Sequence, residues 1–230
     1  MPARSIDVPI LMYHRIDALD PSLPAITRRL TVDPRDFNAQ MKWLVAHGYR
    51  TITQQQLFDA LFGGRRLPAK PVMITFDDGY RNVFGKASPI LDRLSLRATA
   101  YVIVGRISNG DPSFLTRGQL RALERRGVEI GSHTLTHRDL TSLSSSELRH
   151  ELLESRLALE RALGHPVQWL AYPYGAYDAR VVRMARGAGY VLGVTTRSGF
   201  RQHGRAPLEL RRIEILDSAG TGGLGAVLRR

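Results

Sequence analysis

The sequence predicts an α/β protein in a single domain, with a mostly parallel sheet of about seven strands packed between helices. Three observations support this prediction. Apolar runs of roughly five residues alternate with stretches of helical periodicity, capping signals precede those stretches, and glycines follow them. A chain of 230 residues can bury one sizeable core. Seven or eight such strands favour a closed barrel, although periodicity does not separate a barrel from an open sheet.

The amino-terminal half shows this alternation in order. Asp33 is an N-cap followed by Pro34 in the first helical position, and Gly48 ends that helix. Thr53 and Gln56 have the spacing of a capping box, which opens a second helix. The strands predicted in this half are residues 8–12, 49–52, 71–76 and 98–104.

The carboxy-terminal half repeats the pattern. Thr116 with Gln119 and Ser144 with Glu147 form two further capping boxes. We expect residues 1–217 to make up the whole domain and the Gly-rich residues 218–230 to form a flexible tail. The remaining predicted elements are strands at 128–131, 167–171, 191–195 and 208–215 and a helix at 178–186.

The charge and the absence of cysteine narrow the function classes. The chain carries 33 Lys and Arg against 21 Asp and Glu, a net charge of +12. The excess is spread in pairs such as Arg65-Arg66 rather than gathered in a polybasic arm, so no specific nucleic-acid partner is predicted. With no Cys, a disulfide scaffold, Cys-ligated zinc and thiol catalysis are excluded.

No targeting or membrane segment is recognisable in the sequence. No window approaches the roughly 20 apolar residues that a membrane helix needs. The apolar stretch near the amino terminus is too short for the hydrophobic region of a signal peptide. The sequence therefore predicts a cytoplasmic protein by default, or a periplasmic or secreted one if a leader was removed. It makes no prediction about oligomeric state.

Two carboxylates follow the predicted strand at 71–76. Asp77 and Asp78 lie at the carboxyl end of that strand, where α/β active sites are built. A turn at Asp78-Gly79 can bring both carboxylates to one site at this end of the sheet. The alternative is a pair of capping residues at an ordinary strand–helix turn.

Two histidines follow another strand. His133 and His137 are four residues apart, so one helical turn would place both rings on one face. Imidazoles at this spacing suit zinc, whereas the alternative is two exposed histidines in a polar loop. Combined with a carboxylate from another strand end, they predict a two-His, one-carboxylate metal site with a position open for water.

Two other segments after strands are weaker candidates. In residues 172–175, a rigid Pro173 beside Gly175 allows backbone amides to face a ligand, as an oxyanion hole requires; the segment is also compatible with an ordinary turn. His14 follows the first predicted strand and is either an acid or base, or a hydrogen-bonded histidine near the core.

Taken together and in this order, these segments resemble the polysaccharide deacetylase family, also called the NodB-homology domain of carbohydrate esterases. The most similar branch is the poly-N-acetylglucosamine N-deacetylases. The matching segments are MYHRI at residues 12–16, TFDDG at 75–79, SHTLTHRDL at 132–140 and YPYG at 172–175.

The resemblance implies a deformed (β/α) barrel and a hydrolase that releases acetate from an N-acetylglucosamine-containing polysaccharide. It implies that Asp78, His133 and His137 hold a divalent metal, by default zinc, although cobalt, nickel or iron suit the same ligands. It also implies that Asp77 is the general base for a metal-activated water, and that the backbone N–H of Tyr174 helps to hold the oxyanion.

Two departures from the family pattern affect the site. The family has an Arg, which steadies the base, where this chain has Ala171; Arg211 or Arg212 is a candidate substitute. The late Leu-x-His motif that supplies the general acid is absent. In the branch that this chain resembles, the early histidine takes the acid role, so the resemblance implies His14, rather than His203, as the acid.

Two other functions remain open: an amide hydrolase acting on a small non-sugar substrate, and a carbohydrate-binding protein without hydrolytic activity. The second has no need of a base beside a metal ligand, so Asp77 argues against it. Aromatic residues that could stack on sugar rings are Trp43, Trp169, Tyr172 and Tyr177, with Trp43 expected in the core.

Overall fold

The computed structural model describes residues 4–108, 111–217 and 220–228. The strands within these residues are β1 (Ser5–Asp7), β2 (Ile10–Tyr13), β3 (Arg15–Ile16), β4 (Thr31–Val32), β5 (Arg50–Thr51), β6 (Pro71–Phe76), β7 (Ala98–Val102), β8 (Val128–Ser132), β9 (Trp169–Ala171), β10 (Leu192–Ser198), β11 (Arg201–His203) and β12 (Leu210–Glu214). The α-helices are α1 (Ala25–Arg29), α2 (Pro34–Ala46), α3 (Gln54–Phe62), α4 (Ser88–Arg93), α5 (Val104–Ser108), α6 (Arg117–Arg125), α7 (Ser145–Leu163), α8 (Ala179–Gly187) and α9 (Gly220–Leu228). Single helical turns of other types are Val83–Ala87, Leu140–Ser142 and Pro173–Gly175.

Seven parallel strands of the described chain close into a barrel. Their order is β2, β12, β10, β9, β8, β7 and β6, and direct pairing of β2 with β6 completes the circle. That pairing places Tyr13 beside Phe76, and β5 adds to the outer side of β6. The barrel is irregular, because the register of β10 on β12 shifts between Val194 and Ser198. The predicted deformed (β/α) barrel in a single domain is confirmed.

The barrel strands are buried on both faces, as parallel strands covered by helices must be. Alternate residues divide between two apolar clusters. Ile74 of β6 packs in a cluster with Met41 of α2, on the helix-covered side. Its neighbour Met73 belongs with Tyr101 of β7 and Leu210 of β12, in a cluster that draws on strands from around the barrel.

The local helix signals are confirmed. The three predicted capping boxes are all formed, with both the side-chain and the backbone hydrogen bonds present. Asp33 accepts a hydrogen bond from the Arg35 N–H at the start of α2, and Gly164 ends α7 in the left-handed conformation at φ 87°. Because the capping partners are close together in the chain, the caps can be predicted from local sequence alone.

The carboxy terminus differs from its prediction. The tail at 218–230 was expected to be flexible, yet residues 220–228 form α9; residues 218–219 and 229–230 lie outside the described residues. Leu224 is fully buried in the main apolar cluster, and Gln40 of α2 donates to the Gly220 carbonyl at 3.4 Å. Tertiary packing on α2 thus outweighs the low helix propensity of the glycines.

Two small pairings were not predicted. β1 pairs with β11 in antiparallel fashion, and β3 pairs with β4 in parallel. Helix α1 lies in the connection between β3 and β4, and its residue Ile26 lines the pocket described below. No helix in the described parts of the chain is both long and apolar enough to cross a membrane.

Candidate active site

A tight turn at the end of β6 carries the two adjacent carboxylates. Asp78 and Gly79 are both left-handed, at φ 70° and φ 78°. A Cβ on Gly79 would lie 3.0 Å from Cγ1 of Val102, so the turn requires glycine there. The turn brings both Asp77 and Asp78 into one pocket of about 380 Å³, which His133, His137, His14 and Tyr174 also line.

Asp78, His133 and His137 form a possible metal site. One ligand atom from each residue lies within 4.8 Å of the other two. Oδ1 of Asp78 is 3.6 Å from Nε2 of each histidine, and the two Nε2 atoms are 3.2 Å apart. Two imidazole nitrogens and one carboxylate oxygen facing a common point are a donor set that suits a divalent transition metal.

The histidines are in the form that binds metal. Nδ1 of His133 is 2.9 Å from the Ala171 carbonyl oxygen, which can only accept, so Nδ1 carries the proton and Nε2 is free. Burial lowers the pKa of His133. Burial and then the charge of His133 lower the pKa of His137 to about 4. Both rings are therefore neutral at pH 7, as ligation requires.

The segment that joins the two histidines is not helical, which corrects the sequence argument for their approach. Residues 133–139 form a loop in which Thr134 and His137 are left-handed, both at φ 65°. Nevertheless, the ring centroids of His133 and His137 are 4.7 Å apart. A spacing of four residues was the correct signal, but the geometry that realises it is a turn.

Glu151 of α7 holds this loop in place. Its carboxylate accepts the backbone N–H groups of Leu135 at 3.0 Å and Thr136 at 2.9 Å, and also the Thr136 hydroxyl. Glu151 is only 4% exposed, so these hydrogen bonds form in a buried environment of low dielectric constant, where they are stronger than in water. The sequence analysis missed Glu151, because its partners Leu135 and Thr136 lie 16 and 15 residues earlier in the chain, beyond the reach of local patterns.

Arg212 of β12 is the arginine that pairs with Asp77 in this chain, which has Ala171 where the family has an Arg. It forms two parallel hydrogen bonds to Asp77, from Nη1 to Oδ1 and from Nη2 to Oδ2, each 2.7 Å long. Its Nε also donates to the Thr195 carbonyl at 2.8 Å. Of the two candidates, Arg212 is thus the partner of Asp77, whereas Arg211 donates to the Ser198 carbonyl.

This pairing keeps Asp77 ionised. Burial alone would raise the pKa of Asp77, but the charge of Arg212 outweighs it and holds that pKa well below its ordinary range. The pKa of Asp78 is shifted in the opposite direction. Burial raises this pKa most, the charge of His14 opposes the increase, and the charge of Asp77 adds to it. A cation beside Asp78 would offset both effects, which is the environment expected of a metal ligand.

Tyr174 lines the pocket at the end of β9. Its φ of 58° is left-handed, and within the described chain this N–H donates to no acceptor. Gly175 follows at φ 68°, and a Cβ there would lie 2.1 Å from Oγ1 of Thr196. Tyr174 is 67% exposed, and its ring makes a T-shaped contact with the His137 ring, with centroids 4.7 Å apart.

His14 lines the same pocket at the end of β2. Its Nδ1 is buried and has no hydrogen-bond partner among the described residues. His203, the alternative acid, instead contacts Ser5 Oγ at 2.8 Å in the β1–β11 pair. The structure therefore places only His14 of these two with the carboxylates.

The predicted stacking residues are mostly elsewhere. Trp43 stacks on His47 and Trp169 packs in the interior cluster, whereas Tyr172 lines the pocket but is fully buried. Apolar wall residues that the sequence analysis did not single out are Met12, Ile26 and Leu30.

Comparisons with known proteins agree with the geometry. The family model for polysaccharide deacetylases matches residues 64–193. The YxkH protein of Bacillus subtilis strain 168, which is named after this family, is 30% identical over 221 residues, covering 96% of this chain and 76% of that protein. A poly-beta-1,6-N-acetyl-D-glucosamine N-deacetylase of Staphylococcus epidermidis is 25% identical over 208 residues, covering 80% of this chain and 71% of that protein.

This chain is also similar to a solved structure over almost the whole length of both chains. The Streptococcus pyogenes deacetylase PplD, solved in complex with acetate, superposes with a TM-score of 0.91 at 30% identity. The match covers 98% of this chain and 99% of that one. The barrel, its additional strands and the surrounding helices are therefore shared with a deacetylase.

Proposed function

The chain belongs to the polysaccharide deacetylase family, and from this premise we propose that it is a metal-dependent N-deacetylase of an N-acetylglucosamine-containing polysaccharide. The reaction adds water across the acetamide C–N bond and yields acetate and a free amino sugar. The name of the staphylococcal relative supports the substrate class. The acetate held by the streptococcal relative is the product expected of this reaction.

The proposal rests chiefly on one observation: an ionised, rigidly held carboxylate lies beside a two-His, one-carboxylate donor set in one pocket. Asp77 is clamped by Arg212 and is adjacent to the ligand Asp78. A carbohydrate-binding protein has no use for a buried base beside a metal ligand. This arrangement is what hydrolysis of an unreactive amide requires.

Asp78, His133 and His137 are the residues that would hold the metal, with zinc as the default. A divalent metal supplies Lewis-acid polarisation of the amide carbonyl and a lowered pKa for a water molecule. The protein contributes orientation: Ala171 fixes the His133 ring through its carbonyl, and Glu151 fixes the loop that carries His137.

Asp77 acts as general base in this proposal. Arg212 occupies one lone pair of each Asp77 oxygen, which leaves the others able to accept a proton from the attacking water. The two-point clamp also prevents rotation of the carboxylate, so the base stays aimed at the pocket. Because the pKa of Asp77 is held low, it is ionised throughout the neutral range.

Tyr174 and His14 complete the proton and charge balance. Attack of water on the carbonyl places negative charge on the oxygen, and the free N–H of Tyr174 donates to it. Breakdown of the tetrahedral intermediate breaks the C–N bond, and the departing nitrogen takes a proton from His14. The apolar side chains of Met12, Ile26 and Leu30 line the pocket where the acetyl methyl group would lie.

Acetate release from a panel of substrates tests the proposal. The panel contains oligomers of β-1,6- and β-1,4-linked N-acetylglucosamine, soluble chitin derivatives and small non-sugar acetamides, each assayed with and without a chelator. We expect acetate only from the glycans, loss of activity with the chelator, and its return with Zn²⁺. Release from the small acetamides alone would favour the alternative amide hydrolase, and no release from any metal-loaded sample would contradict the proposal.

A further inference from the structure

A second cavity lies on the same face of the barrel as the active-site pocket. Its volume is about 570 Å³, enough for a sugar unit, and its wall has both charged and aromatic side chains. We call it the basic groove and define it by Arg15, Tyr80, Arg81, Lys86 and Phe114. None of these residues takes part in the chemistry proposed above.

The basic groove and the active-site pocket share a dividing wall. His14 lines the pocket, and the next residue, Arg15, lines the groove. On α1, Ile26 lines the pocket and Thr27 the groove. A polymer with one acetamide in the pocket therefore has a neighbouring sugar unit within reach of the groove.

The basic groove has an excess of positive charge. Its one carboxylate, Asp17, is shared between Arg15, at 2.8 Å from Nη2 to Oδ2, and Lys86. Arg81 donates from Nε to the Phe114 carbonyl at 3.3 Å, and it has no carboxylate partner in the described part of the chain. The described residues that line the groove thus include three cations and one carboxylate, an excess of two positive charges.

The groove also has an aromatic wall. The rings of Tyr80 and Phe114 stack with centroids 5.2 Å apart and planes at 18°. Backbone hydrogen bonds fix this pair: the Arg81 N–H donates to the Ser113 carbonyl at 2.8 Å, and the Leu115 N–H donates to the Gly79 carbonyl at 2.9 Å. One face of each ring is covered by the other, and the Arg106 guanidinium lies over the Phe114 ring, 5.4 Å from its centroid. The partly exposed Tyr80 ring therefore offers the apolar surface on which a pyranose ring packs.

We propose that the basic groove binds an acidic sugar unit, carrying a carboxylate or a phosphate, adjacent to the N-acetylated unit that is hydrolysed. This inference rests on the proposed function and names the class of polymer: an anionic N-acetylated glycan rather than a neutral one. The sugar ring packs against Tyr80, which Phe114 supports from behind. The acidic group meets Arg81, whose guanidinium fork suits either anion, with Lys86 and Arg15 nearby.

Gly85 allows the charge of the groove to be changed without removing any of its residues. It lines the groove, and a Cβ placed on it meets nothing within 4 Å. Gly85→Glu adds one negative charge there, and Gly85→Gln adds the same bulk without charge. Gly187→Glu is the matched control, because Gly187 also has open space around its Cβ but lines a different cavity, beside Arg149 and Arg183.

The substrates are a pair of polymers with one backbone. Carboxymethyl chitin and glycol chitin share the β-1,4-linked N-acetylglucosamine chain, but only the first is anionic. We measure kcat/KM for acetate release from each polymer at low ionic strength, and we measure retention of the metal-loaded protein in gels containing each polymer. Phosphorylated chitin is a third arm that distinguishes phosphate from carboxylate as the preferred group.

We expect the wild type, Gly85→Gln and Gly187→Glu to prefer an anionic polymer by about fivefold or more, and Gly85→Glu to lose that preference. The Gly187→Glu control removes the effect of net charge, which changes equally in both Glu variants. Equal use of the neutral and anionic polymers by the wild type, or an unchanged preference in Gly85→Glu, would overturn the inference.

The two readouts separate this inference from the proposed function. Groove-dependent retention in the gel without acetate release would uphold the basic groove and contradict the deacetylase. Acetate release from glycol chitin at the same rate as from the anionic polymers would uphold the deacetylase and contradict an acidic-sugar site.

Discussion

Asp77 and Arg212 form the residue pair on which the proposed chemistry depends most. Both side chains are almost wholly buried, with Arg212 at 0% and Asp77 at 3% exposure. Asp77 follows β6 and Arg212 lies in β12, with β2 between them in the barrel. Removal of either partner would leave an uncompensated buried charge, which typically costs about 3–5 kcal/mol of folding free energy.

Substitution Arg212→Lys tests the clamp without removing the charge. An ammonium group cannot make two parallel hydrogen bonds, so the Asp77 carboxylate could rotate and would no longer be held in position toward the pocket. We expect kcat to fall by roughly a hundredfold, with KM and metal content nearly unchanged. Arg211→Lys is the matched control, since Arg211 is the adjacent residue and bonds the Ser198 carbonyl. Equal kcat values for the two variants would show that the clamp does not position the base.

Glu151 is expected to act on metal affinity through the loop of His137. Glu151→Ala removes three hydrogen bonds from a loop with two left-handed residues, so the loop would sample other conformations. We expect the dissociation constant for Zn²⁺, measured by competition with a chromogenic chelator, to rise about 10- to 100-fold.

Glu154→Ala on the same helix is the control for this effect, and Glu151→Gln should give an intermediate value. The amide oxygen of the Gln variant can still accept the two backbone N–H groups, whereas its NH2 group cannot accept the Thr136 hydroxyl. Wild-type affinity in Glu151→Ala, with the fold intact by circular dichroism, would remove Glu151 from this role.

At the scale of elements, turns with left-handed residues place the functional groups. Asp78, Thr134, His137 and Tyr174 all have positive φ, and all four line or adjoin the pocket. Non-glycine residues in this conformation are uncommon and are concentrated at functional sites. The functional side chains thus follow the carboxyl ends of β6, β8 and β9, and strained turns rather than helices orient them.

Helix α9 gives a prediction at this scale. Leu224→Ala should lower the free energy of unfolding by about 2–5 kcal/mol, because it removes a fully buried side chain from the main cluster. Denaturant unfolding of this variant and of Thr221→Ala, an exposed position on α9, measures the difference. If the two variants have equal stability, the tail contributes no packing and the Gly-rich composition was the better guide.

At the scale of the whole molecule, sequence predicted what local or repeated patterns encode. The capping boxes at Thr53, Thr116 and Ser144 gave three helix starts, and alternating elements gave the parallel barrel. Motifs at strand ends predicted the three residues of the candidate metal site, because parallel strands bring their carboxyl ends to one face. The family resemblance then assigned roles to these residues.

Partners distant in sequence were beyond the reach of local patterns. Arg212 was one of two candidates, since only the pairing of β12 with its neighbours shows which arginine faces Asp77. The stacking of Tyr80 on Phe114 joins segments that are separated by two helices. Net charge was likewise uninformative until the barrel placed Arg15 in one groove with Arg81 and Lys86.

The most direct test of the account compares acetate release per bound metal in the wild type and in Asp77→Asn. The Asn side chain keeps the shape of the proposed base but cannot take a proton, and the three proposed metal ligands are unchanged. We predict that the variant binds one metal per chain and releases acetate at least a hundredfold more slowly. A variant that carries its metal and releases acetate at the wild-type rate would contradict the central claim that Asp77 is the base beside the metal site.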